Sequence, residues 1–424
     1  MKNTARLLLA PLALWAGTAF AQAAADGPDS VVQMYGMAMP FFDNAKTNGA
    51  TVGVPADKPT QVAAAAYTGL NDPARNRITV GTSQWGFRGY EKLGWDLRLV
   101  WQMESAFQID QNTPPGLGGR DSKVGIRSGR FGEIFFGQWD TPYKYISLPI
   151  NPLRAGYVFD RTAITGNPGQ GVPNTTTQFT RVGAKPDASF DRRQGNSVQY
   201  WSPNWGGLTF RLMHSVNEGT GVIATGGPVV KPIVNALALQ YDLGTLSLRY
   251  AYEEHKDYFG MAQLGGAAGG TTTNTGSKDK GHKFVLLWLI GNTRITALYE
   301  MLDYTTNDSI AGNVNKYKRS AWYGVLEQKF DAGRQSVWVS YGRAQDGSCE
   351  RVGGLACVTS NLGASYYTLG YIYRLSKRTE IFAAYYRMDN KTSGQYSPGP
   401  TVSTAAVAPG ADTSAAGVGI QHFF

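Results

Sequence analysis

The sequence is poor in the residues from which most active sites are built. Among its 424 residues are 2 cysteines and 4 histidines. His214, His255, His282 and His422 are scattered, none stands in an HExxH spacing, and no GxSxG surrounds a serine. Gly265 to Gly270 is flanked by Ala and Thr without a following GK[ST], so it does not cradle a phosphate. Catalysis, a cofactor and a metal all lack a basis here. Glu253-Glu254-His255 sits at the end of an alternating segment and is expected to be a solvated rim face, not an acid–base pair. The two cysteines, Cys349 and Cys357, are too few for a disulfide framework. Set among Gly347, Gly353 and Gly354, they predict one short-range bridge at a loop tip in an oxidising compartment.

Long apolar runs are missing too. Beyond the first residues, none approaches the ~20 needed for a membrane-spanning helix. The start is different: Lys2 and Arg6 precede an apolar run from Leu7 to Trp15, broken only by Pro11, and Ala19-Phe20-Ala21 follows. This order predicts a secretory signal peptide over 1–21, cut after Ala21, with 22–424 as a single exported domain. Losing Lys2 and Arg6 takes the formal charge from +9 to +7. That surplus favours anionic partners, while export and aromatics spread along the whole chain argue against nucleic acid. Two classes remain, a soluble secreted β-protein and a barrel whose strands cross a membrane with every second residue facing lipid.

Period-two alternation decides between them. From Trp95 to Ile109 the odd positions carry Trp95, Leu97, Leu99, Trp101, Met103, Phe107 and Ile109; the even ones carry Asp96, Arg98, Gln102, Glu104 and Gln108. Ser83 to Glu91 precedes it across a turn at Gly94. The unit of strand, short turn and strand recurs around 202–207, 242–245, 291–293 and 375–378, and longer Gly, Thr, Asn and Ala-rich segments separate the units. A first strand is expected within Val31 to Phe41, ended or bulged by Pro40, with a first large loop from Asp43 to Arg77. Short turns alternating with long loops predict an all-β, antiparallel up-and-down transmembrane barrel of about sixteen strands, wide enough for a water-filled channel. Tyr241, Tyr250, Tyr252, Tyr299, Tyr371, Tyr373 and Tyr385 fall where interfacial girdles require aromatics.

One stretch breaks the pattern. Pro142 to Gln194 shows no period of two and holds Lys144, Arg154, Arg161, Arg181, Lys185, Arg192 and Arg193 against Asp160, Asp187 and Asp191. So long a loop in a strand-rich chain is usually functional. It is expected to fold into the barrel, narrow the bore and tilt it toward anions; the alternative is a long outward loop with a solvated charge surplus. Inward parity adds Arg88, Arg98, Lys123, Arg211 and Arg249 to the wall, opposed by Asp96, Glu104, Asp242 and Glu253. Facing charges of both signs favour polar solutes over apolar ones.

Several motifs together resemble the general porins of β-proteobacterial and neisserial outer membranes. They are Ser83-Gln84-Trp85-Gly86-Phe87-Arg88-Gly89-Tyr90-Glu91-Lys92-Leu93-Gly94 with Trp101-Gln102-Met103-Glu104-Ser105; Phe131-Gly132-Glu133 with Thr141-Pro142; Asn196-Ser197-Val198-Gln199-Tyr200-Trp201-Ser202-Pro203; Leu375-Ser376-Lys377-Arg378-Thr379; and the ending Gly417 to Phe424. The resemblance spans the mature chain. It implies a sixteen-stranded barrel, a homotrimer among outer-membrane lipid and lipopolysaccharide, an inward third loop over 142–194, and Phe424 as an assembly signal. For the constriction it implies Glu104 as the wall carboxylate, Arg120 or Lys123 as one basic partner and Arg193 or Arg192 as another. Gln84 stands where the family carries an arginine, which weakens the anion preference. Met37-Ala38-Met39-Pro40-Phe41-Phe42 replaces the family's acidic residue in strand one. The function implied is passive diffusion of small hydrophilic solutes and anions. A channel preferring small organic or aromatic acids is the nearest alternative, and an adhesin or receptor barrel the next.

Overall fold

The computed structural model describes residues 28–51, 73–107, 117–153, 159–169, 188–216, 221–222, 229–263, 276–398 and 407–424. The leader, Arg154, Arg181, Lys185 and the Gly265 to Gly270 segment lie outside the described residues.

Sixteen antiparallel strands follow one another in chain order. The first, β1, runs through Ser30–Ala38 and Phe41–Asn48, and β2 through Arg75–Thr79 and Gln84–Gly94. Next come β3 (Leu97–Ala106), β4 (Ser122–Ser128), β5 (Gly132–Asp140), β6 (Arg193–Trp201) and β7 (Leu208–Ser215). They are followed by β8 (Ile233–Leu243), β9 (Leu246–Lys256), β10 (Ser277–Ile290), β11 (Thr293–Thr306) and β12 (Val314–Phe330). The last four are β13 (Gln335–Ala344), β14 (Ala364–Arg374), β15 (Thr379–Asn390) and β16 (Asp412–Phe423). Each pairs with its neighbours, and β16 pairs with β1, so the sheet closes. Closure is what lets strands cross a bilayer, because an open edge would leave amides unpaired in hydrocarbon.

Side-chain alternation builds the wall. In β10, Phe284, Leu286 and Trp288 face out, whereas Gly281, Lys283, Val285 and Leu287 are buried on the inner side. Seven connections at one end are short and eight at the other are longer, as outer-membrane barrels arrange their periplasmic and external rims. Trp95 and Asp96 form the turn between β2 and β3 instead of starting a strand. Trp95 has φ 51° and is 99% exposed, and Asp96 accepts from the Ser128 hydroxyl at 2.6 Å, so Asp96 is a turn residue and not a wall carboxylate.

The first strand is longer than its composition suggests. It breaks at Met39-Pro40 and resumes, pairing Phe41 with Thr79 and with Gly419. The Pro40 carbonyl accepts from the Ile420 amide at 3.1 Å across the interruption. Strand pairing then continues through Asn48, with Asp43 held inside by Arg77, so the loop expected from Asp43 begins only after the strand ends. Asp43 and Thr47 take inward positions on a polar inner wall while Asn44, Lys46 and Asn48 face outward, so polar residues on both faces hide the strand from an apolar count. The long connection is likewise trimmed to 141–192, because Arg193 and Gln194 already belong to β6. Between β13 and β14 a short strand, Ser348–Arg351, adds to the outer end of β12, and a disulfide joins Cys349 to Cys357 with Cα atoms 5.6 Å apart.

The seam is sealed at Gly36. Its amide donates to the Phe424 carbonyl at 3.0 Å and its carbonyl accepts from the Phe424 amide at 3.1 Å. The Phe424 ring lies where a side chain would stand, since a Cβ on Gly36 would overlap Cζ of that ring. Gly36→Val is therefore expected to expel the ring and cost about 1–3 kcal/mol of overpacking, read as a lower unfolding temperature with β-sheet circular dichroism retained. An unchanged transition would remove Phe424 from the seam.

Candidate functional site

The connection 141–192, the third loop, is described at both its ends, and these lie against the inner faces of β8 to β15. Thr141 caps a short helix, Pro142–Tyr145, by accepting from the Lys144 amide at 3.3 Å. The helix turns Tyr143 inward, and its hydroxyl donates to Glu300 of β11 at 2.9 Å. Further along, three successive residues are gripped by three elements. The Gly166 amide donates to Glu300 at 2.8 Å, the Asn167 carbonyl accepts from Arg319 of β12, and the Pro168 carbonyl accepts from the hydroxyl of Tyr396, in the connection 391–411, at 3.1 Å. Gly169 follows at φ 72°, with the Tyr396 ring lying where a Cβ would stand. Phe159 reaches the other side of the lumen, 5.9 Å from the Phe41 ring and 5.8 Å from that of Tyr386.

Buried ions fasten the loop. Lys283 of β10 pairs with Asp191 at 3.1 Å and lies 3.8 Å from Glu300. Arg319 pairs with Glu300 at 3.1 Å, and Arg161 with Asp191 at 3.1 Å and Asp160 at 3.0 Å. Three cations meet three carboxylates, so the cluster is neutral, and all but Asp160 are at most 1% exposed. Glu253 and His255 belong to this covered region. His255 Nε2 lies 2.8 Å from Glu253, and Phe190 stacks on the imidazole at 4.3 Å. The solvated rim expected there is thus a buried contact, because Phe190 of the loop covers it from a distance that strand periodicity cannot register.

Across the lumen, the wall of β1 to β6 carries a second set. Arg120 pairs with Glu104 at 2.8 Å and donates to Gln84 at 2.6 Å, while Gln84 donates to Glu104 at 3.0 Å. Tyr35 also donates to Glu104 at 2.9 Å, and Arg88 lies over the Tyr35 ring at 4.6 Å. Gln84, Arg88, Glu104 and Arg120 are therefore one assembly. Arg193 is separate, bound to Asp121 at 2.5 Å and Asp140 at 3.2 Å, and Lys144 shares Asp140 at 2.9 Å. Lys123 is enclosed beneath Phe135, Trp139 and Trp201, all within 4.5 Å of its ammonium, and pairs with Glu133. Arg98 stands apart, 5.0 Å over the Tyr90 ring. Arg211 stacks on Tyr145 at 3.2 Å, and Arg249 donates to the Ile146 carbonyl at 3.1 Å, so both hold the start of the loop.

The charge surplus of the third loop is consequently not presented to water by its described residues. Lys144, Arg161 and Arg193 are in ion pairs, and Arg192 lies over Tyr258 at 4.7 Å. Positive charge with partial exposure sits on the opposite wall, where the Arg120 and Arg127 side chains are 22% and 24% exposed. Burial lifts the Asp121 carboxyl to about 6, with Arg193 opposing the rise and Asp140 and Glu104 adding to it. No group of three metal-ligating side chains occurs among the described residues. Sequence reasoning missed Tyr35, Asp121, Lys283, Glu300 and Arg319. The signal existed for two of them, since Lys283 and Glu300 have inward parity and are cross-strand partners.

Removing one member of the buried cluster leaves charge without a counter-ion. Glu300→Ala should destabilise the loop's seat by about 3–5 kcal/mol. The check is limited proteolysis of the folded barrel, in which faster cleavage within 141–192 is expected and a wild-type rate would show that the cluster does not hold the loop.

The profile of the Gram-negative porin family matches residues 8–393. An outer membrane porin protein of Bordetella pertussis is 25% identical over 357 residues, covering 81% of this chain and 82% of that protein. Outer membrane porin protein 32 of Delftia acidovorans is 26% identical over 373 residues, covering 85% and 91%. The fold is similar to that of the anion-selective porin from Comamonas acidovorans, with a TM-score of 0.66 at 20% identity over 93% of this chain and 100% of that one.

Proposed function

The chain belongs to the Gram-negative porin family and is an outer-membrane porin, and from that premise we propose that it conducts small hydrophilic solutes through a bore between the third loop and the wall of β1 to β6, with a weak preference for anions. One observation carries the preference. Arg120 and Arg127 keep partial exposure, whereas their carboxylate partners Glu104 and Glu133 are each 4% exposed. A passing ion therefore meets the guanidinium edges before the carboxylates behind them, and the sign of charge at a narrow section biases permeation. The preference is weak because each arginine is already partnered, and because Gln84 adds no cation beside Arg120. The third loop contributes shape: its described Lys144, Arg161 and Asp191 are met by Asp140, Asp160 and Lys283, and the Glu300 cluster fixes its position. Assembly as a homotrimer is proposed on the family resemblance.

The test is the reversal potential of single channels under a KCl gradient. Wild type should favour chloride modestly. Arg120→Glu places two carboxylates side by side and should invert the preference toward potassium while conductance stays within about two-fold. A potential unmoved by Arg120→Glu would place the selective section elsewhere.

Acidity supplies a second check. Asp121 is ionised above about 6 and neutral below it, so lowering the pH through that value removes one negative charge beside Arg193. Chloride preference should rise as the pH falls from 7 to 5, and Asp121→Asn should show the acid value throughout. A dependence that persists in Asp121→Asn would assign it to another group.

A further inference from the structure

The connection between β13 and β14 is tied to itself and to its neighbours at several points. The Thr359 hydroxyl donates to the Gly347 carbonyl at 2.7 Å, and the disulfide joins Cys349, in the added strand, to Cys357 beyond the Gly353-Gly354 tip. Pairing sets Cys349 opposite Tyr317 of β12. Val352 accepts from the Gly312 amide at 3.0 Å and donates to the Asn313 carbonyl at 2.9 Å. Both cysteines are half-buried, while Glu350 and Leu355 between them are 64% and 55% exposed, which sets the bridge at the solvent boundary of the rim.

Two routes lead from this connection to the third loop. Cys349 and Cys357 pack against the inner cluster that holds Tyr317 and Tyr304. The two rings stack at 6.4 Å, and the Tyr304 hydroxyl donates to the Ala188 carbonyl of the third loop at 2.6 Å. The second route starts three residues before Cys349. Asp346 accepts from the Gly363 amide at 2.8 Å, and its two oxygens accept from the Lys391 ammonium at 2.9 and 2.8 Å. The amides of Lys391 and Ser393 donate to the carbonyls of Gly363 and Asn361 at 3.0 and 2.9 Å, so the start of the connection 391–411 lies on the end of 345–363. Tyr396, three residues further on, holds Pro168.

We propose that the Cys349–Cys357 disulfide positions the third loop from outside, and that a small dithiol in the external medium, by reducing it, loosens that loop while the barrel stays folded. One thiolate of the reagent attacks a bridge sulfur and expels the other cysteine as a thiolate; the reagent's second thiolate then displaces the first cysteine and closes a cyclic disulfide. Two electrons and two protons pass from the dithiol to Cys349 and Cys357. Backbone pairing to β12 and the Lys316–Glu350 ion pair then hold the added strand without a covalent tie. A cross-link limits the conformations open to a segment that lets go of its neighbours, so its loss frees the chain on which both routes are anchored. The proposal is independent of the ion preference and rests on the reading that the third loop borders the bore only for its current readout.

The experiment uses the purified full chain in detergent, with dithiothreitol as the probe. Limited proteolysis is read separately in 141–192 and in the connection 216–232, and single-channel current is recorded from the same preparation. Reduction should speed cleavage within 141–192 about ten-fold, in the range of couplings between distant sites, and reoxidation should restore the slow rate. Cys349→Ser/Cys357→Ser should cleave at the fast rate without reagent and be indifferent to it. Tyr304→Phe/Asp346→Asn cuts both routes with the bridge intact, and should cleave fast in the oxidised protein; a slow rate there overturns the proposal. An unchanged rate within 141–192 after reduction makes the bridge a local pin, and an equal rise in 216–232 makes it a general stabiliser; either overturns the proposal. So does a bridge that dithiothreitol leaves intact in the folded barrel, read by mass. Current fluctuations should rise with the cleavage rate. Fast cleavage at an unmoved current upholds the role of the disulfide and overturns the placement of the bore.

Discussion

An amide left without a partner in hydrocarbon costs several kcal/mol, and that penalty shapes everything else in this chain. It forces the strands to close, and closure falls to β16 against β1. The first strand meets the requirement in two pieces, switching at Met39-Pro40, where proline has no amide to satisfy. The last residue completes the ladder with two backbone bonds to Gly36. Once the backbone is satisfied, the side chains are free to differ on the two faces, and the outer one becomes apolar in the middle and aromatic or basic toward its margins.

Inside, the described parts of the third loop lie against the barrel's inner wall. Packing alone does not hold it. Phe159 and Tyr143 supply apolar contacts, but the decisive fastening is a neutral set of buried ions on β10, β11 and β12. Such a cluster adds little net stability compared with apolar residues of the same volume, yet it tolerates no missing member. It therefore acts as a positional key: the loop seats where all partners are met. Arg120 and Arg127, by contrast, are paired with nearly buried carboxylates and keep partial exposure themselves. The two kinds of ion pair look alike in sequence and do different work.

Much of the barrel could be read from the sequence, because alternation is local. The β3 pattern from Leu97 to Met103 and the turn at Leu375 to Arg378 are visible within a dozen residues. The Asp43 to Asn48 segment was obscure because it is polar on both faces, with Asp43 and Thr47 inward and Asn44, Lys46 and Asn48 outward, so the absence of apolar alternation is not the absence of a strand. The site was legible in part. Gln84, Glu104, Arg88 and Arg120 share the inward parity or the motif that points to them, and they meet. Arg161, Arg192 and Glu253, expected as lumen or rim charges, are buried: Arg161 against Asp160 and Asp191, Arg192 over Tyr258, and Glu253 beside His255 under Phe190, and the contacts with Tyr258 and Phe190 join residues more than sixty positions apart. Charge counts carry no information about who covers whom.

The grip on Gly166, Asn167 and Pro168 ties an exterior surface to an interior one. The last of the three holds is Tyr396, which belongs to an external connection, and its ring rests on Gly169. External loops are the part of such a barrel seen by phages and immune systems, and change there is ordinarily free of cost to the channel. Here it is not uniformly free. Tyr396 is itself 1% exposed, so a substitution there is hidden from the outside yet loosens the grip on the third loop, and variation in that connection is channelled toward residues that do not touch the third loop.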